Sequence, residues 1–203
     1  MKRSLAQFII LAVVWMVPFG ASDAEPASSI NLGLGGINPM PHCNALVYTI
    51  EYEHPLTRTV TILGRESGVN YHYDDGIYKE DGNIPGLDVG IRSYSSDGMR
   101  GFFWGSSLGY WAGNWTFIQD KNRPTERQGN SSSHSLRLNI EIGDRIPILS
   151  TNISIMPEVN LGKFFSSSSC EYSAPALRVG TPCSQKSEVN YYIFAGVTAG
   201  ITF

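Results

Sequence analysis

Residues 189–203 read VNYYIFAGVTAGITF, and this stretch decides the fold. Its odd positions are Val189, Tyr191, Ile193, Ala195, Val197, Ala199, Ile201 and Phe203. Its even positions are Asn190, Tyr192, Phe194, Gly196, Thr198, Gly200 and Thr202. Successive side chains leave an extended backbone on opposite sides, so a face that is apolar throughout, set against one mostly small or polar, is the signature of a β-strand.

The same period recurs upstream. Leu46, Tyr48, Ile50 and Tyr52 alternate with Val47, Thr49, Glu51 and Glu53, and Leu87, Val89 and Ile91 alternate with Asp88, Gly90 and Arg92. Leu136, Leu138, Ile140 and Ile142 alternate with Arg137, Asn139 and Glu141, and Ile153, Ile155, Val159 and Leu161 with Ser154, Glu158 and Asn160. Full charges thus recur in mid-strand on the non-apolar face. A soluble β-sandwich, the competing architecture, leaves those inward charges unexplained. A barrel with lipid outside and polar groups within explains them.

The alternation predicts eight strands, near 28–37, 44–54, 59–73, 85–95, 100–118, 134–146, 152–167 and 188–203. Short Pro- or Gly-containing links (HPLTR, SSDGM, RIPILS) alternate with long polar ones, DDGIYKEDGN, QDKNRPTERQGNSSS and the Ser/Cys-rich stretch before 188. Short turns at one end and long loops at the other, with an even strand number, match an antiparallel transmembrane barrel closed without free edges. Two places break the pattern. Pro157 sits in mid-strand, where it removes a ladder bond and suggests a bulge. In LGRESGV, Arg65 falls on the lipid side if Glu66 points inward, which also suggests a bulge or a near-interface position.

At 203 residues the chain holds one domain, and with 16% charged residues it is poorer in charge than the roughly 25% of ordinary soluble domains. No basic block is present, which argues against a nucleic-acid partner. Residues 1–24 read as a signal peptide: Lys2 and Arg3, an apolar core from Phe8 to Val17, and a small-x-small site at Ser22-Asp23-Ala24. The barrel domain is then 25–203, exported to a compartment where disulfides form. Of the cysteines Cys43, Cys170 and Cys183, the last two bracket one polar segment and are the expected pair, although three pairings remain open on sequence. No spacing suits zinc, and no metal or cofactor is expected.

The ending YYIFAGVTAGITF, with Tyr191, Ile201 and Phe203 at alternate apolar positions, resembles the carboxy-terminal signal of small eight-stranded bacterial outer-membrane barrels of the OmpX-type and opacity-type class. PGLDVGIRSYSSDGMRGFFWGSSLGYW similarly resembles a strand–turn–strand pattern of bacterial barrels. The resemblance implies location in the outer membrane of a Gram-negative envelope and recognition of the ending by the barrel-assembly machinery. It also implies contact with outer-membrane lipid and lipopolysaccharide, as a monomer.

Activity is a separate matter. Lipid A deacylases of this size use a His-x-Ser pair on the outer wall with a carboxylate from the next strand. His134 occupies a comparable outward position, but Leu136 stands where the serine is wanted and Ser132 lies on the wrong side. A palmitoyltransferase needs an acyl pocket in the lumen, whereas the inward faces here carry Glu51, Asp88, Arg92, Arg137, Glu141 and Glu158. Those charges can pair across strands and fill an eight-stranded lumen, which is just wide enough for side chains. Trp104, Tyr110, Trp111 and Trp115 are expected to form aromatic girdles. The sequence therefore favours a non-catalytic barrel with a structural or surface-interaction role carried by loops at 74–83, 119–133 and 168–187. The alternatives are a lipid A-modifying enzyme and a small pore.

Overall fold

A computed structural model describes residues 27–37, 42–149, 151–174 and 191–203. Residues 1–26, including the expected signal peptide, and Cys183 lie outside the described residues. Eight strands form one closed antiparallel barrel: β1 (Ser29–Ile37), β2 (Cys43–Pro55), β3 (Val60–Asp74), β4 (Lys79–Ser96), β5 (Arg100–Gln119), β6 (Arg127–Pro147), β7 (Ile153–Ala174) and β8 (Tyr191–Thr202). Each strand pairs with its neighbour in sequence, and β8 returns to β1 with Ser29 opposite Thr202 and Gly36 opposite Ala195. Every strand thus has two partners, so no edge is left open.

The polarity is that of a soluble protein turned inside out. Leu32, Leu34, Val89, Leu108, Leu138, Ile140, Leu161 and Ile193 stand exposed on the outer wall. Asn31, Glu51, Arg65, Asp88, Arg92, Glu141 and Arg145 are buried within. The lumen is filled by matching sizes across strands. In the β4–β5 register Gly86 faces Trp111, Asp88 faces Gly109 and Arg92 faces Gly105. On the other side of β5, Gly109 faces Arg137, Gly105 faces Glu141 and Phe103 faces Gly143. Alternating small and large residues is how a narrow barrel accommodates its interior.

Two apolar clusters cap the charged middle. Tyr94, Met99, Phe103 and Met156 close the end that carries the short turns. Met99 lies in the β4–β5 turn with φ of 57°, a left-handed conformation uncommon outside glycine, and its side chain is buried in that mouth. Toward the loop end, Val47, Val69, Trp111, Tyr192 and Phe194 form the second plug.

Several expectations need correction. β4 begins at Lys79 rather than near 85, β6 at Arg127 rather than 134, and β7 runs to Ala174 rather than 167. Much of what is described of the segments read as long loops is therefore strand. They lack the apolar alternation because both of their faces are polar, so the hydrogen-bond ladder continues with no hydrophobic cue. Neither suspected bulge exists. The β2–β3–β4 register runs unbroken through Arg65, which points inward, while Glu66 faces out between Ile50 and Leu87. At Pro157 the β6–β7 pairing is interrupted between Glu158 and Ile155 without a change of register, and Pro157 stays paired to Val197 on the other side. Its missing N–H falls on the β6 side, so the ladder loses a bond but needs no extra residue. Finally, Trp104 and Tyr110 stand on the outer wall, but Trp111 and Trp115 belong to the inner face and Trp111 is buried.

Candidate functional site

The lumen brings together all six charges singled out in the sequence. Glu51 on β2, Asp88 and Arg92 on β4, Arg137 and Glu141 on β6 and Glu158 on β7 are each buried. They form two groups rather than one. Arg137 donates from Nε and Nη2 to the two oxygens of Asp88 at 2.9 and 2.6 Å, and its guanidinium stacks 4.4 Å from the Trp111 ring centroid. Trp111 Nε1 donates to the same carboxylate at 3.3 Å.

The larger group centres on Arg92. Its Nε donates to Glu141 at 2.9 Å, Nη1 donates to Glu51 and Glu53 at 2.8 and 3.1 Å, and its carbon lies 4.4 Å over the Phe103 ring. Arg65 bridges Glu51 and Glu141, with Nη2 at 2.6 Å from each. Arg145 extends the chain to Glu53 at 3.1 Å, Ser154 at 3.0 Å and Asn31 at 3.2 Å. Glu158 is the outlying member, 3.9 Å from Arg92 and hydrogen-bonded by Thr198 at 3.4 Å. Four carboxylates thus meet three guanidiniums. The sequence reading omitted Glu53, Arg65 and Arg145. Glu53 shares the parity of Glu51, and Arg145 that of Glu141, so both were legible; Arg65 was hidden by its neighbour Glu66.

These contacts explain what the network can do. Between two apolar plugs, bidentate and bridging ion pairs occupy the lumen cross-section, fix the register of β2, β3, β4, β6 and β7, and offer no reacting group free of a partner. A network of this kind suits a closed wall.

His134 faces outward from β6, opposite Ala112 on β5 and Ser167 on β7. Its Nδ1 shares a 2.7 Å hydrogen bond with the Tyr110 hydroxyl, and the rings stack with centroids 6.1 Å apart. The atom a catalytic carboxylate would orient is therefore occupied by a phenol. Among the described residues, no serine is hydrogen-bonded to the other ring nitrogen. A triad needs both contacts. Around His134 lies an open cleft of about 600 Å³ that also includes Lys163, Phe165, Ser167 and Tyr191.

Tyr191, Ile201 and Phe203 all face outward and are exposed. The Phe203 backbone N–H donates to the Ser28 carbonyl at 2.9 Å, continuing the β8–β1 seam. Cys43 is a buried free thiol. Cys170 lies in the extended part of β7, and its expected partner Cys183 lies outside the described residues.

At the loop end, the link between β3 and β4 is held to the link between β5 and β6. Lys121 Nζ donates to Asp74 at 2.6 Å, and the Lys121 backbone N–H donates to the Ile77 carbonyl at 2.9 Å. The Lys121 hydrogen bond, then that of the Gly76 N–H, holds the Asp74 carboxyl below its ordinary 3.8. Asp75 is likewise lowered by the N–H groups of Tyr78 and Ile77. A carboxyl lowered by folding contributes its full share above the ordinary value and loses it as pH falls through the depressed one. Limited proteolysis should therefore find the 120–126 link protected at neutral pH and more readily cut below pH about 3.8. Lys121→Ala should show the acid pattern at neutral pH. Equal cutting of parent and variant would refute the clasp.

No protein-family model matches the chain, and no curated protein matches it in sequence. The fold is similar to solved barrels. A major outer membrane protein from Thermus thermophilus superposes with a TM-score of 0.59 at 11% identity, covering 87% of this chain and 98% of that one. The translocator domain of the autotransporter NalP from Neisseria meningitidis gives 0.49 at 10% identity, covering 98% and 95%. The N-terminal β-barrel domain of Pseudomonas aeruginosa OprF gives 0.42 at 12% identity, covering 88% and 98%. At these identities the likeness concerns the fold alone, and the first of the three carries it.

Proposed function

We propose that the chain is a non-catalytic outer-membrane barrel, closed to ions, that serves the envelope through its wall and its long outward hairpins. The observation that carries this reading is the pairing of an apolar outer wall with a lumen occupied by ion pairs and capped at both ends. An apolar band facing lipid accounts for the exposed Leu, Ile and Val residues that water would penalise. Outward Tyr110 and Tyr191 mark the loop-side border of that band, and Trp104 and Phe203 the opposite one, as girdle residues do.

In this reading the short turns and both strand termini of the barrel face the periplasm. Its carboxy-terminal Tyr191, Ile201 and Phe203 are what the assembly machinery recognises. The hairpins β3–β4 and β5–β6, with the upper part of β7 paired to β6, rise past the lipid as paired strands, a stiff surface suited to contacting lipopolysaccharide or a partner molecule. Export by the signal peptide and a Cys170–Cys183 crosslink belong to the same proposal.

The test is direct. The protein should fractionate with outer membranes, migrate faster on gels before boiling than after, and leave planar bilayers silent. Soluble recovery would sink the membrane reading, and stepwise conductance would favour the pore. Loss of an acyl chain from lipid A on overexpression, abolished by His134→Ala, would make it an enzyme.

A further inference from the structure

Among the described residues, the outer wall carries a lysine with rings and no carboxylate beside it. Lys163 faces outward on β7 just above Leu161, where the apolar band ends. Its ammonium lies over two rings, 5.1 Å from the Phe165 centroid and 5.2 Å from that of Tyr191. A lysine that merely reaches for water extends its head away from the wall; this one is held against it. Among the described residues no carboxylate lies within ion-pair distance of Lys163.

Two hollows meet at this lysine. Above it is the 600 Å³ cleft, with the Tyr110–His134 pair and Ser167 on its wall. Below it runs a groove of about 710 Å³ lined by Val89, Ser106, Leu108, Leu138, Ile140 and Leu161, which shares Lys163 and Tyr191 with the cleft. Ser106 supplies the depth, being a small outward residue between Trp104 and Leu108. The combination of a cation with hydroxyl and ring walls above an apolar trough has the shape and polarity of a lipid with a sugar-phosphate head.

We propose that this site binds the phosphorylated glycolipid of the outward leaflet, its phosphate on Lys163 and one acyl chain in the groove. The proposal rests on the outer-membrane reading above. Tyr110, His134 and Ser167 line the cleft with polar groups suited to sugar oxygens, while Tyr191 and Phe165 supply the flat surfaces that a sugar ring packs on. A glycerophospholipid headgroup would leave most of the cleft empty, so charge, volume and wall chemistry together favour the glycolipid.

Native mass spectrometry of the full, folded barrel in detergent tests this with four probes: lipid A, dephosphorylated lipid A, phosphatidylglycerol and inorganic phosphate. One lipid A per barrel is expected to remain bound, with the other three weaker. Lys163→Ala should weaken lipid A binding about tenfold, as loss of a charge-assisted contact does. Lys163→Arg should retain it, and Leu138→Trp should weaken it by filling the groove. Equal binding of dephosphorylated lipid, or no effect of Lys163→Ala, would overturn the site as mere annular lipid or a lysine anchor. Equal binding of phosphatidylglycerol or of phosphate alone would overturn the glycolipid, and a dimer lost on Lys163→Glu would make the face a subunit contact. Gel heat-modifiability of each variant separates these failures from failure of the membrane reading, because the barrel shifts whether or not the lipid binds.

Discussion

Arg92→Ala is expected to cost about 3–5 kcal/mol of barrel stability, the range for removing one partner from a buried ionic cluster. Arg92 donates to Glu51, Glu53 and Glu141 and lies 3.9 Å from Glu158. Its loss leaves four buried carboxylates facing only Arg65 and Arg145, and a void beside Phe103. Urea titration of the detergent-refolded barrel, read by heat-modifiability, should show a much lower midpoint or no folded band. Arg58→Ala is the control: its pair with Asp97 spans 3.8 Å between groups 83% and 67% exposed, so the change should be within about 1 kcal/mol. Glu158→Gln carries the opposite sign. It removes the surplus carboxylate from a cluster of four acids and three bases, and should leave the midpoint unchanged or raise it. A parent-like midpoint for Arg92→Ala would mean that the plugs alone hold the barrel.

How much of this was readable beforehand differs by region for a physical reason. Wherever a strand crosses the apolar band, period-two alternation reports both its existence and its facing: Glu51, Asp88, Arg92, Arg137, Glu141 and Glu158 are buried as their parity demanded. Above the band that signal disappears, because both faces carry polar residues. RQGNSSS and SSCEYSA (168–174) therefore read as loops although they are paired strand, Ser131 opposite Cys170 and Ser133 opposite Ser168. Adjacent charges fail differently. Parity alone cannot decide which of Arg65 and Glu66 faces lipid. Tertiary contact decides it, since only an inward Arg65 reaches both Glu51 and Glu141. The cleft beside His134 was illegible for a third reason. Lys163, His134 and Tyr110 come from three strands, and their juxtaposition depends on register, which no single strand records.

Register also supports the function argument. A lumen built only to be polar would tolerate many pairings, whereas this one sets several of its rings against glycines. Trp111 lies over Gly86, Phe194 over Gly35 and Tyr192 over Gly162, so that rings lie flat on backbone that has no side chain. Slipping any of these strands by one residue would turn charges to lipid and Leu or Ile to the lumen. The interior thus specifies one arrangement of its strands.

Gly86→Val should accordingly be among the most damaging small substitutions in the chain. A Cβ at Gly86 meets the Trp111 indole at three ring atoms. That ring cannot retreat, being 1% exposed, bonded to Asp88 and stacked under Arg137. Overpacking a filled interior costs about 1–3 kcal/mol, and the upper end or beyond is expected here because moving the ring also disturbs an ion pair. Gly64→Val provides the contrast. Gly64 faces outward with nothing within 4 Å of an added Cβ, and valine favours a strand facing lipid, so its midpoint should hold or rise. Trp111→Ala alone should cost about 3–5 kcal/mol by leaving a cavity. If collision with the indole is the mechanism, Gly86→Val combined with Trp111→Ala should be no less stable than Trp111→Ala alone, since the valine then occupies vacated space. Additive losses in that double-mutant cycle would show that valine acts on the strand itself and not through the ring.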